Sequence, residues 1–303
     1  MDIKLNPGKY ILAISGGVDS MVLLDLVVKK YLLNSNYQSE KYLFVVAHFD
    51  HGIRDDSIQD RLLVSKTAQQ YLLPFEYRRV DLDETTSEDY ARQLRYDYLK
   101  SVMKQYQADS IITAHHLSDV VETAIFNVLR GTGRKGLTAL AETNEIKRPL
   151  LGYTKQNIIK YALDNKLIWR EDKTNKNLKY SRNLIRLTLI PKFSNEDYLK
   201  LIGLINDQRI INGQLDSELN KMLNNSKINY LDRLNLINLP DNFASELLAS
   251  WFRLNKLRDF DKKTIYRILN GSKIARSGAK YDVKHNFYVL VTKQYLALKH
   301  IER

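Results

Sequence analysis

The sequence predicts an α/β protein with a doubly wound parallel sheet, followed by a second, smaller and mainly helical domain. In the first 130 residues, short runs rich in Ile, Val, Phe and Tyr alternate four times with helical patterns. From about Asn195 this alternation stops, and amphipathic helical patterns follow one another. With 303 residues, of which 44% are hydrophobic, the chain is long enough for two cores. We therefore expect one domain over residues 1–192 and a second over residues 193–303.

The elements of the first domain follow one another as strand and helix. The predicted strands cover residues 10–15, 42–49, 75–82 and 110–115, and the predicted helices cover residues 18–33, 57–72, 87–106 and 118–129. Ser57 and Ser87 are the expected N-caps of two of these helices. Strand-then-helix repeats form parallel sheets, whose ligands bind at the carboxyl ends of the strands. Functional residues should therefore lie at the strand-to-helix junctions.

The second domain has a different pattern. Residues 194–223 and 242–257 have the amphipathic spacing of helices, and Pro191 marks the end of the preceding pattern. The segment 279–300 alternates like two strands around a turn at His285 and Asn286. A helical domain that ends in a β-hairpin is the expected result.

Composition limits the classes of function. The chain has no cysteine, which excludes disulfides, thiolate catalysis, iron–sulfur ligation and cysteine zinc sites. Residues 1–150 hold 19 Lys/Arg and 20 Asp/Glu (net −1), so the remaining residues hold 28 and 15 (net +13). A nucleic acid is the expected partner of such a basic half, and a merely solvated basic surface is the alternative. The N-terminus lacks a signal-peptide pattern, so we expect a cytoplasmic protein without a membrane partner.

The stretch "SGGVDS", from Ser15 to Ser20, follows the first predicted strand and opens the first helix. A glycine pair at this junction lets backbone N–H groups converge on an anion, and the helix dipole favours negative charge there. The loop has neither the Walker spacing with its lysine nor the GxGxxG pattern. Asp19 fits such an anion site if a magnesium ion lies between its carboxylate and phosphates. An ordinary glycine turn with a capping serine is the alternative.

Three further clusters follow. The junction after the second strand carries His48, Asp50, His51 and Arg54, which could bind a ligand, although Asp50 could equally cap the next helix. Two arginines three residues apart, Arg92 and Arg95, share one helix face. The third cluster follows the fourth strand and consists of His115, His116, Asp119 and Glu122. The helix after it ends in a basic loop that contains Arg130, Arg134 and Lys135.

The loop "SGGVDS" resembles that of the PP-loop, or N-type ATP pyrophosphatase, superfamily. Further motifs resemble the tRNA(Ile)-lysidine synthetase family within it, in the order "HFDHGIR", "ARQLRY", "AHHLSDVVET", "KRPLL", "REDKTN" and "RNLIRLTLIP". The resemblance extends from Ile11 to about Pro191. Ser118 stands where the family usually has an acidic residue, and Leu187 where a histidine is common. The chain resembles a compact version of the family.

The resemblance implies an adenine nucleotide α-hydrolase-like fold and an ATP-dependent ligase with Mg²⁺. The wobble cytidine of the isoleucine tRNA with a CAU anticodon would be adenylated with release of pyrophosphate, and free lysine would then displace AMP to form lysidine. Residues 15–20, His48 and His115 would bind ATP, with Asp19 as the magnesium ligand. Asp19, Asp50, Asp119 and Glu122 would be catalytic. The implied tRNA-binding residues are Arg54, Arg92, Arg95, Arg130, Arg134, Lys135, Arg182 and Arg186. A homodimer is kept open.

Four alternatives compete with this function. Sulfur-inserting tRNA thiolases share the loop but need cysteines, and the chain has none. Amidating relatives that act on small molecules would not explain the basic half or the "HFDHGIR" and "ARQLRY" clusters. A tRNA-binding module with a degenerate nucleotide fold is compatible with Ser118, but the intact loop argues against it. Another cysteine-independent PP-loop ligase also stays open.

Overall fold

The computed structural model describes residues 1–34, 39–53, 56–83, 85–171, 181–224, 229–257, 260–283 and 286–301. The chain divides into two compact units, Met1–Asn206 and Asp207–Arg303. The division falls within a long helix, Asn195–Asn224 (α8), whereas the sequence-based boundary lies between residues 192 and 193. That earlier boundary stays a prediction about the extent of the catalytic domain.

The first unit is built on a parallel sheet, as predicted. Its strands are Gly8–Ala13 (β1), Tyr42–Asp50 (β2), Phe75–Arg79 (β3), Ser110–Thr113 (β4) and Ile146–Lys147 (β5). Within the described residues, their order is β3-β2-β1-β4-β5, and each neighbouring pair is parallel. The sequence did not predict β5, because two residues are too few to form a recognisable apolar run.

Helices follow each strand. Their bounds are Val18–Val27 (α1), Ser57–Gln70 (α2), Glu88–Gln105 (α3), Leu117–Leu129 (α4), Arg134–Leu137 (α5), Lys155–Asp164 (α6) and Ser181–Leu184 (α7). Ser87 caps α3 as predicted, since its hydroxyl accepts the Tyr90 N–H at 3.2 Å. The predicted cap at Ser57 is wrong: Asp56 occupies the N-cap position, and the Ser57 hydroxyl instead donates to Asp50 at 3.0 Å.

The central strands β1, β2 and β4 are buried on both faces of the sheet, which is why they contain continuous apolar runs. Along β1, Leu12 packs into a core shared with α1 and α6, whereas Ile11 packs into a core shared with α3 on the opposite face. Both side chains are 0% exposed. Because the strands are held from both sides, the loops at their carboxyl ends have a firm base.

The second unit combines helices with an antiparallel sheet. Its further helices are Arg233–Ile237 (α9), Asp241–Leu254 (α10) and Lys262–Ile274 (α11), and its strands are Tyr230–Asp232 (β6), Lys280–Val283 (β7), Phe287–Val291 (β8) and Tyr295–His300 (β9). The predicted hairpin corresponds to β7 and β8, although His285 lies outside the described residues. In the described part of the unit, β9 and β6 extend this hairpin into a sheet of order β6-β9-β8-β7. The core of the unit includes Trp251 and Phe252.

None of the helices in the described residues is long and apolar enough to cross a membrane.

Candidate active site

The loop between β1 and α1 is organised around one hydroxyl group. The Ser20 oxygen accepts the N–H groups of Ser15 and Gly16, both at 3.2 Å, and donates to the Gly17 carbonyl at 2.9 Å. Gly16 has φ +94°, a backbone region that favours glycine. The hydroxyl of Ser20 therefore acts within the loop. The first N–H groups of α1, which have no intrahelical acceptor, are the donors that this junction offers to an anion.

A distant arginine holds this loop against α2. The Arg170 N–H donates to the Gly16 carbonyl at 3.0 Å, while its guanidinium donates to Asp60 at 2.7 Å and to Asp56 at 3.0 Å. Arg170 belongs to the "REDKTN" motif, of which residues 172–175 lie outside the described residues. Its two ion pairs link the loop to α2, whose residues Val64 and Ala68 are packed in the core, so the loop is fixed to this helix as well as to β1.

A cavity of 930 Å³ lies beside the loop. It brings together four of the predicted site residues, Asp19, Asp119, Glu122 and Arg186, from three separate segments of the chain. Ser118 also lines it. The other predicted residues are not among the described residues that line this cavity, and Arg54 lies outside the described residues.

Asp19 is paired with a lysine that the sequence did not indicate. The Lys155 Nζ lies 2.6 Å and 2.8 Å from the two carboxylate oxygens of Asp19. Lys155 is the first residue of α6, and the preceding Thr154 caps that helix by accepting the Asn157 N–H. Lys155 lies 136 residues after Asp19 in the sequence. In the sequence, only its position after β5 could have indicated that Lys155 belongs to the site, and β5 was not predicted.

His116, the neighbour of the predicted ATP-binding residue His115, lies between two carboxylates. Its Nε2 is 3.5 Å from Asp19 Oδ1, and its Nδ1 is 3.6 Å from Asp119 Oδ2. Burial lowers the pKa of His116, although Asp119 and Asp19 act in the opposite direction. The imidazole is therefore mainly neutral at pH 7. Asp119 is also held by the His116 backbone N–H, which donates to its carboxylate at 2.8 Å.

Glu122 and Arg186 form an ion pair at the cavity wall. The Glu122 Oε2 accepts from both Nε and Nη2 of Arg186 at 2.8 Å. Glu122 is 3% exposed, whereas the Arg186 side chain is 42% exposed. Burial raises the pKa of Glu122, and Arg186 opposes that rise. Arg186, predicted from the sequence as a tRNA-binding residue, thus lies against a predicted catalytic carboxylate.

The predicted arginine pair on α3 belongs to a cluster of cations. The guanidinium groups of Arg92 and Arg95 lie 4.9 Å and 5.5 Å from the Tyr96 ring centre. His115 accompanies them, with its Nδ1 2.8 Å from the Thr113 hydroxyl. Burial, followed by the charges of Arg95, Arg148 and Arg92, lowers the pKa of His115 well below its ordinary value. The sequence did not indicate the contribution of Arg148, which is 5% exposed. Such a concentration of positive charge suits an anionic ligand.

Two other predicted tRNA-binding arginines meet at one aromatic ring. Arg130 and Arg182 lie 4.4 Å and 5.1 Å from the centre of Phe126, on α4. The predicted residues Arg134 and Lys135 lie in α5, just beyond. The basic loop that ends α4 and the segment that begins at α7 therefore meet, although they are far apart in sequence.

His48 and Asp50 support the end of β2. The His48 ring nitrogen Nδ1 lies 2.8 Å from the Ile14 carbonyl oxygen, just before the loop, and burial lowers the pKa of this histidine. The Asp50 carboxylate accepts from Gly52 N–H at 2.9 Å, the Ser57 hydroxyl at 3.0 Å and the Tyr77 hydroxyl at 3.2 Å. Both Asp50 oxygens are thus engaged, which favours the structural alternative for this residue.

Replacing Asp50 by Asn should destabilise the first unit in a pH-dependent way. Burial acts to raise the pKa of Asp50, but these hydrogen bonds outweigh it and lower the pKa below 3.8. A lowered folded-state pKa contributes stability above the unfolded-state pKa, and this stability is lost as the pH falls through the folded-state value. We expect Asp50→Asn to cost about 2 kcal/mol at pH 7 and less near pH 3. Urea unfolding at both pH values measures this; an equal cost at both would contradict it.

The donor set at Asp19 suits a magnesium ion that arrives with its nucleotide. Mg²⁺ is commonly bound by one or two carboxylates together with substrate phosphates, rather than by an all-protein cage. The described residues contain no group of three or more His, Cys, Asp or Glu side chains placed to hold a metal ion. Asp19, at a loop with anion-binding geometry, provides one carboxylate of the kind that a shared ion requires.

Comparisons with known proteins identify the family of this chain. The sequence model of the PP-loop domain matches residues 3–193. The tRNA(Ile)-lysidine synthase of Thermotoga maritima is 37% identical over 195 residues, which cover 62% of this chain and 46% of that protein. The tRNA(Ile)-lysidine synthase of Mycoplasma mycoides is 30% identical over 277 residues, covering 86% and 66%. The chain spans about half the length of the first of these relatives.

A solved structure shares the fold at low sequence identity. The U34-tRNA thiolase NcsA of Methanococcus maripaludis superposes with a TM-score of 0.52 at 14% identity, over 67% of this chain and 73% of the other. At that identity the likeness concerns the fold alone.

Proposed function

The chain belongs to the PP-loop domain family, and from this premise we propose that it ligates free lysine to the wobble cytidine of the CAU-anticodon isoleucine tRNA, using ATP. The observation that carries the proposal is the convergence of Asp19, Asp119 and Glu122 on one cavity beside the PP-loop. Asp19 comes from the loop that resembles the PP-loop superfamily, and Asp119 and Glu122 come from a motif that resembles one of the tRNA(Ile)-lysidine synthetase family. Relatives that carry the name tRNA(Ile)-lysidine synthase support the same substrate class.

In the first step, the cytosine O2 attacks the α-phosphate of ATP. A bond forms between O2 and the α-phosphorus, and the bond from that phosphorus to pyrophosphate breaks. The step requires stabilisation of the charge that develops on the phosphates. The N-terminal N–H groups of α1 supply donors at the loop, and the Asp19 carboxylate would hold the Mg²⁺ that ATP carries. Magnesium, when bound, neutralises charge on the departing pyrophosphate.

In the second step, the ε-amine of lysine attacks C2 of the adenylated cytidine. The nitrogen–carbon bond forms, the bond from C2 to O2 breaks, and AMP leaves with that oxygen. The amine must lose its proton to become a nucleophile. Glu122 is the better placed carboxylate for this, because burial raises its pKa and it lines the cavity, whereas both oxygens of Asp50 are already bonded. Asp119 lies next to Glu122 on α4 and would position the amine.

The tRNA must present a cytidine out of its stack for either step to occur. The cation cluster of Arg92, Arg95 and Arg148, together with the arginines at Phe126, would hold its phosphates. The basic excess of residues 151–303 supports a wider tRNA-binding surface. A tRNA substrate would place the protein in the cytoplasm. A homodimer stays a prediction.

A labelling experiment tests this function. The protein would be incubated with ATP, magnesium and radiolabelled lysine, together with either the CAU-anticodon isoleucine tRNA or the initiator methionine tRNA. We expect label in the first tRNA only, with AMP and pyrophosphate released in proportion. Absence of label from the isoleucine tRNA would refute the activity. Equal labelling of both would refute the specificity.

A further inference from the structure

We propose that Lys155 is the phosphate-binding cation of the PP-loop, and that in the nucleotide-free site it occupies Asp19 until a pyrophosphate group draws it away. The proposal rests on the function above, in that a nucleotide with a pyrophosphate group is the ligand. It adds a residue and an order of events: Lys155 keeps free metal from Asp19, so that metal and phosphates enter the site together.

The first support is the geometry of the ion pair. The Lys155 ammonium touches both oxygens of Asp19, at 2.6 Å and 2.8 Å, and so takes up the side of the carboxylate on which a cation would bind. A divalent ion and this ammonium cannot both be bound there. Any metal ion that reaches Asp19 must therefore displace Lys155.

The second support is how Lys155 is anchored. Its backbone is fixed at the start of α6, where Thr154 and Asn157 form reciprocal hydrogen bonds and the Lys155 N–H lies 3.4 Å from the Ser118 hydroxyl. The side chain is 37% exposed and lines the cavity. A fixed backbone with a flexible four-carbon stem lets the ammonium move between two partners a few ångströms apart without any change in the fold.

The third support is the charge of the cavity. Among the described residues that line it, three carboxylates, Asp19, Asp119 and Glu122, face two cations, Lys155 and Arg186. Arg186 is engaged by Glu122. With Lys155 held by Asp19, no described lysine or arginine of the lining is left to meet a polyphosphate. When a magnesium–nucleotide complex arrives, its metal can replace Lys155 at Asp19, and the released ammonium can then bind the phosphates.

This exchange gives Lys155 the role that a Walker lysine has in other phosphate loops, namely to hold the terminal phosphates. The difference is that the lysine comes from α6 rather than from the loop. Because the leaving group here is pyrophosphate, the Lys155 ammonium would stay with the leaving group and not with AMP. Loss of the Lys155 ammonium should therefore weaken the binding of ligands that contain a pyrophosphate group and leave the binding of AMP unchanged.

The test measures two affinities that should change in opposite directions. Lys155→Met keeps the length of the side chain and removes its charge. Calorimetry with magnesium pyrophosphate should show affinity weakened about 10- to 100-fold, the range for losing a hydrogen bond to a charged group, with AMP binding unchanged. Manganese binding to the nucleotide-free protein, followed by electron paramagnetic resonance, should instead tighten, because Asp19 is no longer occupied.

The matched control lies on the same helix. Lys160 pairs with Asp164 at 3.3 Å and is 78% exposed, so Lys160→Met should change neither affinity. Lys155→Arg, which keeps the charge, should recover most of the pyrophosphate affinity. Unchanged pyrophosphate binding in Lys155→Met would overturn the inference, as would manganese affinity that fell or stayed the same. Loss of AMP and pyrophosphate binding together would also overturn it, since that is the effect of a damaged site.

The two proposals can fail separately. If the wild-type protein binds neither ATP nor pyrophosphate, the proposed function fails. If the wild type binds both and Lys155→Met behaves like Lys160→Met, only the role of Lys155 fails.

Discussion

Asp19→Asn should lower the rate of tRNA-dependent pyrophosphate release by about 10²- to 10³-fold or more, the cost typical of removing one group that stabilises charge in a transition state. Asn keeps the size of the side chain but loses the charge that would hold magnesium and that now holds Lys155 at 2.6 Å. Filter binding of the isoleucine tRNA should be unchanged, because the arginines that we propose to bind the tRNA lie on other segments. The measurement is pyrophosphate release under saturating ATP and magnesium.

The matched control for this variant is Asp164→Asn. Asp164 also pairs with a lysine, Lys160, but its side chain is 59% exposed and lies on the outer face of α6. We expect no effect on pyrophosphate release, since exposed pairs of this kind contribute little. If Asp19→Asn released pyrophosphate at the wild-type rate while tRNA binding was lost, the role of Asp19 at the phosphates would be wrong.

Glu122→Gln should separate the two chemical steps. We expect lysine incorporation to fall by about 10²- to 10⁴-fold, the contribution typical of a group that accepts or donates a proton. Pyrophosphate release in the presence of the tRNA should persist, because the α-phosphate is attacked before lysine takes part. The adenylated tRNA should therefore accumulate, which denaturing gel electrophoresis with α-labelled ATP would detect.

Glu145→Gln is the control for the second variant. Glu145 pairs with Lys100 at 2.9 Å and is 57% exposed on the protein surface. Both steps should be unchanged in this control. Because Glu122→Gln leaves Arg186 without its anionic partner, thermal unfolding must be measured alongside the assay. A folded Glu122→Gln protein that still transfers lysine at the wild-type rate would exclude Glu122 as the proton acceptor. A folded variant that loses both steps equally would exclude the separation of roles.

The parallel sheet of the first unit could be predicted because its central strands β1, β2 and β4 are buried on both faces. β1 and β2 are continuous apolar runs for that reason, and the polar residues after them mark the edge at which a ligand binds. The short strand β5 carries no comparable pattern, since its two residues, Ile146 and Lys147, gain their conformation by pairing with β4. Without β5, the junction that places Lys155 in the cavity was not visible.

Residues of the candidate site could be predicted only where each belongs to a recognisable sequence motif. Asp19, Asp119 and Glu122 could be named, because each lies in a junction whose sequence resembles a known family. Spacing alone does not show which of the two neighbouring histidines, His115 or His116, contacts Asp19, because both follow the end of the same strand. Arg148 joins Arg92 and Arg95 through tertiary packing alone, so the pattern on α3 could not indicate it.

The Arg170 contact to the PP-loop has a consequence for biosynthesis. The ribosome makes β1 and the loop more than 150 residues before the arginine that holds the Gly16 carbonyl, and Lys155 and Arg186 also follow long after the loop. A nascent chain can therefore pair β1 with β2 long before the loop is clamped or Asp19 is neutralised. Nucleotide affinity should appear abruptly in ribosome-bound intermediates, once the segment through Arg186 has left the exit tunnel.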